Sequence, residues 1–170
     1  KDCFTIPPGL IGTTDSHAST LTVVPCSTAH DSEAIGSFTA AESSFPGVDA
    51  LRAESMSECL KVFSAYVPDA GSVPAGSLVQ FIYPNGEAWS SSKHRVTCFI
   101  QFRGATLTQS VHREVSSYTA DQQRYLSAVH PLVEAVTRLN ATAASASLTD
   151  LQQPACDIAS AGQSVVTART

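Results

Sequence analysis

Residues 23–38, VVPCSTAHDSEAIGSF, place Cys26, His30, Asp31 and Glu33 within eight positions. A thiol, an imidazole and two carboxylates this close are the raw material of a metal site or of a nucleophile with its base. The sulfur is the weak member of the set. The five cysteines stand at 3, 26, 59, 98 and 156, with no C-x-x-C pair among them. Zinc sites usually draw ligands from such close pairs, because two neighbouring thiolates pre-organise half the tetrahedron. Wide spacing fits a disulfide framework instead, and a disulfide sulfur is a poor ligand. His30 and Glu33 are then a ligand pair short of a stable zinc or copper site, even with Asp31 nearby. The structural alternative has His30 and Asp31 bonding backbone groups in a turn between two strands, as Asx-type side chains do. We prefer that reading and expect no metal and no cofactor.

Other residues invite chemistry and are weighed the same way. Ser110 and His112 are close in sequence, but the nucleophile-elbow pattern G-x-S-x-G is absent and no orienting acid is evident. His130 precedes Pro131 in a helical stretch, where it would bond a carbonyl freed by the proline. Trp89, the one tryptophan, reads first as a core anchor and second as a platform for a sugar ring such as that of peptidoglycan. Arg95 could pair with Asp31 or Glu33, or face an anionic ligand.

A net charge of −5, with only 10 basic residues that form no run, argues against nucleic acid as a partner. Charged residues make up 15% of the chain, below the usual quarter. There is no continuous apolar stretch long enough to span a bilayer. The opening KDCF lacks a methionine, and we read the chain as the exported part of something longer.

The elements that must position these residues follow from their patterns. STLTVVPC (19–26) and EAIGSFTA (33–40) read as neighbouring antiparallel strands across a turn at 27–32. FPGVDALRAESMSECLKVFSAYV (45–67) reads as a long helix with Pro46 in its first turn. Its apolar stripe runs through Met56, Cys59, Leu60, Phe63, Tyr66 and Val67. LVQFIYP (78–84) and HRVTCFIQFRG (94–104) are strands, the second with Val96, Cys98, Ile100 and Phe102 on one face. Beyond residue 117 two Ala-rich helices are expected. The first opens on a capping box, Thr119 to Gln122, and bends at Pro131 without stopping; the second covers 148–166.

By this point the spaced motifs resemble those of the septum-formation-related domain family. They are DCF (2–4), VVPCSTAHDSEAIGSF, FPG (45–47), a helical Cys59 followed by FSAYV, YPNGEAW and RVTCFIQ. Ala29 stands where the family has proline, Phe45 where it has tryptophan, and TQSV (108–111) where a Gly-Ser step is usual. The resemblance covers about residues 1–112. It implies an extracytoplasmic domain of an actinobacterial envelope protein, held to the membrane by an anchor absent from this chain. An envelope or division protein is the implied partner; the family label names a process and no reaction.

Four cysteines in that region allow three pairings. Cys59–Cys98 is favoured because helix and strand each turn that residue inward, which leaves Cys3–Cys26. The expected architecture is α+β: a disulfide-stapled, mostly antiparallel sheet of about four strands with one long packed helix. It occupies 1–115, and a C-terminal helical hairpin follows at 116–170. The expected function is non-enzymatic, an extracytoplasmic interaction or sensor domain. The alternative is an envelope hydrolase or metal-dependent activity centred on His30, Asp31 and Glu33, or glycan binding through Trp89. Denatured, unreduced protein should show one reactive thiol per chain, from Cys156. Three or more would restore thiolate ligands to consideration.

Overall fold

The computed structural model describes residues 2–7, 21–91 and 93–143. The chain divides into two compact units, Lys1–His112 and Arg113–Thr170. The first holds strands β1 (Cys3–Thr5), β2 (Thr22–Val24) and β3 (Ser32–Thr39), helix α1 (Val48–Tyr66), then β4 (Leu78–Ile82) and β5 (Arg95–Gln101). The strands form one sheet in the order β2-β1-β3-β5-β4, with every neighbouring pair antiparallel.

Among the described residues the sheet has five strands where about four were expected, and the additional one changes the topology. β1 lies between β2 and β3, with Cys3 opposite Val24 on one side and Glu33 on the other. The strands read as neighbours across the 27–32 turn are therefore separated by the N-terminal segment. Three residues are too short to display alternation, so the sequence pattern could not reveal this strand.

α1 packs against β3, β4 and β5. It begins after Pro46, which lies just outside it, and Gly47 takes the N-cap position at φ 90°, a conformation that favours glycine. Its fully buried seam is Leu51, Ser55 and Cys59, four residues apart as a helix requires. Met56, expected on the core stripe, is instead 41% exposed, because the true seam is rotated toward Leu51 and Ser55. On β5 and just beyond it, Val96, Cys98, Ile100 and Phe102 enter the core beside Ile35, Leu51 and Cys59, on one face as the alternation predicts. Phe99 on the opposite face is also buried, edge-on to Phe4 at 5.3 Å.

Two disulfides staple this unit. Cys59–Cys98 ties α1 to β5 across the core, with Cα atoms 5.4 Å apart. Cys3–Cys26 ties β1 to the end of the β2 segment, with Cα atoms 5.1 Å apart. Loop-closure arguments assign about 3–4 kcal/mol to each, chiefly by restricting the unfolded chain. No helix among the described residues is long and apolar enough to cross a membrane.

In the second unit, α2 (Ala120–Ala143) starts on the expected capping box. The Gln122 amide donates to Thr119 Oγ1 (3.3 Å), and the Thr119 amide donates to Gln122 Oε1 (2.9 Å). The helix runs on through Pro131. The second helix of the expected hairpin, at 148–166, and Cys156 lie outside the described residues.

One contact sets how closely α1 approaches the sheet. The β3–β5 register shifts between Ala34 and Gly36, and a Cβ at Gly36 would lie 2.8 Å from Val62 Cγ1. Gly36→Ala should therefore cost about 1–3 kcal/mol through overpacking. Adding Val62→Ala should return part of that loss, as read by urea unfolding followed through Trp89 fluorescence.

Candidate functional site

The HDSE stretch makes three buried or half-buried connections, each to a different part of the unit. His30 forms an isolated bridge with Leu107: each amide donates to the other's carbonyl at 2.9 Å. Its ring is wholly buried, edge-on to Phe102 at 6.0 Å, with Nδ1 2.8 Å from the Thr28 carbonyl. A carbonyl only accepts, so Nδ1 carries the proton. Nε2 is buried and has no hydrogen-bond partner among the described residues. Asp31 turns the other way. Its Oδ1 accepts the Ile6 amide at 3.0 Å and the Ser32 hydroxyl at 2.9 Å, pinning the end of β1.

Glu33 is the centre of the site. Its side chain is fully buried, a position a carboxylate holds only with several donors around it. Tyr66, at the end of α1, donates its hydroxyl to Oε1 at 2.5 Å, and Ser110 donates its hydroxyl to the same oxygen. The Val111 amide donates to Oε2 at 2.9 Å. The next residue extends the network. The His112 amide donates to Ser110 Oγ at 3.1 Å, and Nδ1 of its ring lies 2.7 Å from the Tyr66 carbonyl. The Tyr66 and His112 rings lie 4.5 Å apart at 36°. Burial and then the bond to Glu33 push the Tyr66 phenol above its ordinary range.

This geometry separates the expected site residues. One donor atom each from Cys3, His30 and Glu33 lies within 4.8 Å of the others, in a wholly buried group. Asp31 is outside it, and the Cys3 sulfur is bonded to Cys26. Ser110 gives its one proton to Glu33, so the His112 imidazole is not its acceptor. Trp89 is 3% exposed, stacked on His94 at 4.7 Å and met by the edge of Phe45. It is a core anchor, and the sugar-platform reading is corrected because so little of the ring is exposed. Arg95 does not reach Asp31 or Glu33: the antiparallel register puts it opposite Thr39 at the far end of β3, where it donates to Ser37 Oγ at 3.1 Å.

The sequence reading missed Tyr66 and Val111 as partners of Glu33, and had read Ser110 and His112 only as a weak catalytic pair. Ser110 and Val111 are 77 and 78 residues from Glu33, so no local pattern joins them. One clue was available. Glu33 stands two residues before Ile35 on a strand, which puts a carboxylate on the core-facing side.

The model of the family described as Septum formation matches residues 5–98, more than half the chain. The chain belongs to the septum-formation family. No curated protein and no solved structure matches it. Family membership links the chain to septum formation, and the two disulfides fit folding in an oxidising environment. The matched span includes α1, the His30–Glu33 stretch and Cys59–Cys98, and ends before Ser110.

Two substitutions test the network. Glu33→Gln should cost roughly 2–4 kcal/mol, because it trades a charge-assisted acceptor of three bonds for a neutral amide with one acceptor oxygen. Tyr66→Phe should cost about 1–2 kcal/mol. The pH dependence has a definite sign. A phenol whose pKa is raised by folding favours the native state while protonated. Its contribution is present below the unfolded value near pH 10 and is lost as pH rises beyond it. Urea unfolding at increasing alkalinity should show that loss in the wild type and less of it in Tyr66→Phe.

Proposed function

We propose that this chain is a non-enzymatic extracytoplasmic interaction or sensor domain of a cell-envelope protein that serves septum formation. In this reading its partner is another envelope or division protein, and the actinobacterial protein is anchored to the membrane. The supporting observation is how the acidic groups are used. Asp31 is occupied by the Ile6 amide and Ser32, and Glu33 by Tyr66, Ser110 and Val111. Carboxylates so committed hold backbone and side chains in place, and a general base must be able to release its donors to a substrate. Family membership supplies the septal context.

Asp31→Asn distinguishes this reading from an envelope hydrolase or a metal-dependent enzyme. Asparagine keeps an acceptor for the Ile6 amide and removes the ionisable carboxylate. In a host lacking its own copy, full-length protein carrying Asp31→Asn should restore septation as the wild type does. Failure to restore it, with normal export and an unchanged unfolding curve, would favour the catalytic reading.

A further inference from the structure

His30 and Glu33 keep unused electron pairs in the same buried group. Nδ1 of His30 gives its proton to the Thr28 carbonyl, so Nε2 presents a lone pair, buried and without a partner among the described residues. This is the arrangement of metal-binding imidazoles, in which a backbone carbonyl fixes the tautomer and aims the other nitrogen. Glu33 accepts two bonds at Oε1 and one at Oε2, which uses three of a carboxylate's roughly four acceptor positions. The third member is Cys3, directly opposite Glu33 across the β1–β3 pairing, so both side chains lie on the same sheet face. Imidazole, carboxylate and thiolate are all zinc donors.

Cys3 is committed to a disulfide whose two halves differ in access. Cys3 is wholly buried, whereas Cys26 is partly exposed at the end of the β2 segment. We infer that Cys3, Cys26, His30 and Glu33 form a latent site for a borderline-soft divalent cation, zinc by its donor set, closed by the Cys3–Cys26 disulfide and opened by a dithiol reductant. The reductant's first thiolate attacks Cys26 Sγ, the Cys3–Cys26 bond breaks, and its electron pair leaves on Cys3 Sγ. The second thiolate of the reductant then displaces Cys26 Sγ. Two electrons and two protons pass to the protein, and the dithiol becomes a disulfide. Zinc then displaces the two thiol protons with no further redox change. Cys26, bonded to Cys3 before reduction, supplies the fourth donor. The inference stands apart from the septal role, since it concerns only what this buried group binds.

The test uses the whole chain, reduced under native conditions with a dithiol that is then removed without air. Cys59–Cys98 should survive, because both of its cysteines are 0% exposed. Cobalt(II), as the spectroscopic probe, should give a thiolate charge-transfer band at one ion per chain in reduced protein and none in oxidised protein; zinc should abolish it. His30→Asn keeps a donor for the Thr28 carbonyl but removes the second ring nitrogen, and should weaken binding on the order of 100-fold. Nitrogen NMR of the wild type needs no variant: zinc should shift His30 Nε2 far more than Nδ1. The inference is overturned if reduced protein binds no ion or unfolds without binding one, if His30→Asn binds as tightly as wild type, or if Nε2 does not move.

Discussion

Glu33 is a carboxylate held entirely out of water, and β3, the end of α1 and the 110–112 segment are arranged around that fact. Desolvating such a group without compensation costs several kcal/mol. The compensation comes from three donors on two separate parts of the chain: the Tyr66 hydroxyl at the end of α1, and the Ser110 hydroxyl and Val111 amide beyond β5. Each is useful to Glu33 only if its own segment is correctly docked. The carboxylate therefore rewards one arrangement of β3, α1 and the 110–112 segment over other compact ones. His112 reinforces that choice by returning a bond to the Tyr66 carbonyl.

The disulfides act at the two margins of this arrangement. Cys59–Cys98 fixes α1 over the strand that neighbours β3. Cys3–Cys26 holds β1 between β2 and β3, and the Asp31 bond to the Ile6 amide secures the end of the same strand. A three-residue strand in the interior of a sheet has few ladder bonds of its own, so these side attachments decide whether it stays. The same attachment brings Cys3 beside His30 and Glu33. Structural stapling and a latent donor set thus arise from one placement, with the oxidation state of one sulfur separating them.

Much of the fold was legible because it rests on local periodicity. The alternation of β5 named the residues that enter the core, and the inward turn of Cys59 and Cys98 named their pairing. The capping box at Thr119 was readable because its two partners are three residues apart. β1 was not legible, since three residues carry no period, and its insertion displaced the expected pairing of β2 with β3. Met56 was misplaced because a stripe of apolar types ignored Ser55, a small polar residue that lies on the buried seam. At the site, Asp31 bonds a backbone amide as its residue type suggests, but that of Ile6, 25 residues away beside β1, rather than one in its own turn. The Glu33 network was not legible, because its donors meet only in three dimensions.

Hydrogen exchange at the Val111 amide tests most directly whether Glu33 organises this unit. That N–H has Glu33 Oε2 as its acceptor and lies in a segment outside the regular strands. The account predicts that it exchanges only with the unfolding of the unit, as slowly as amides within β5, and that Glu33→Gln speeds it selectively. Exchange in the wild type as fast as that of an exposed loop amide would contradict the account.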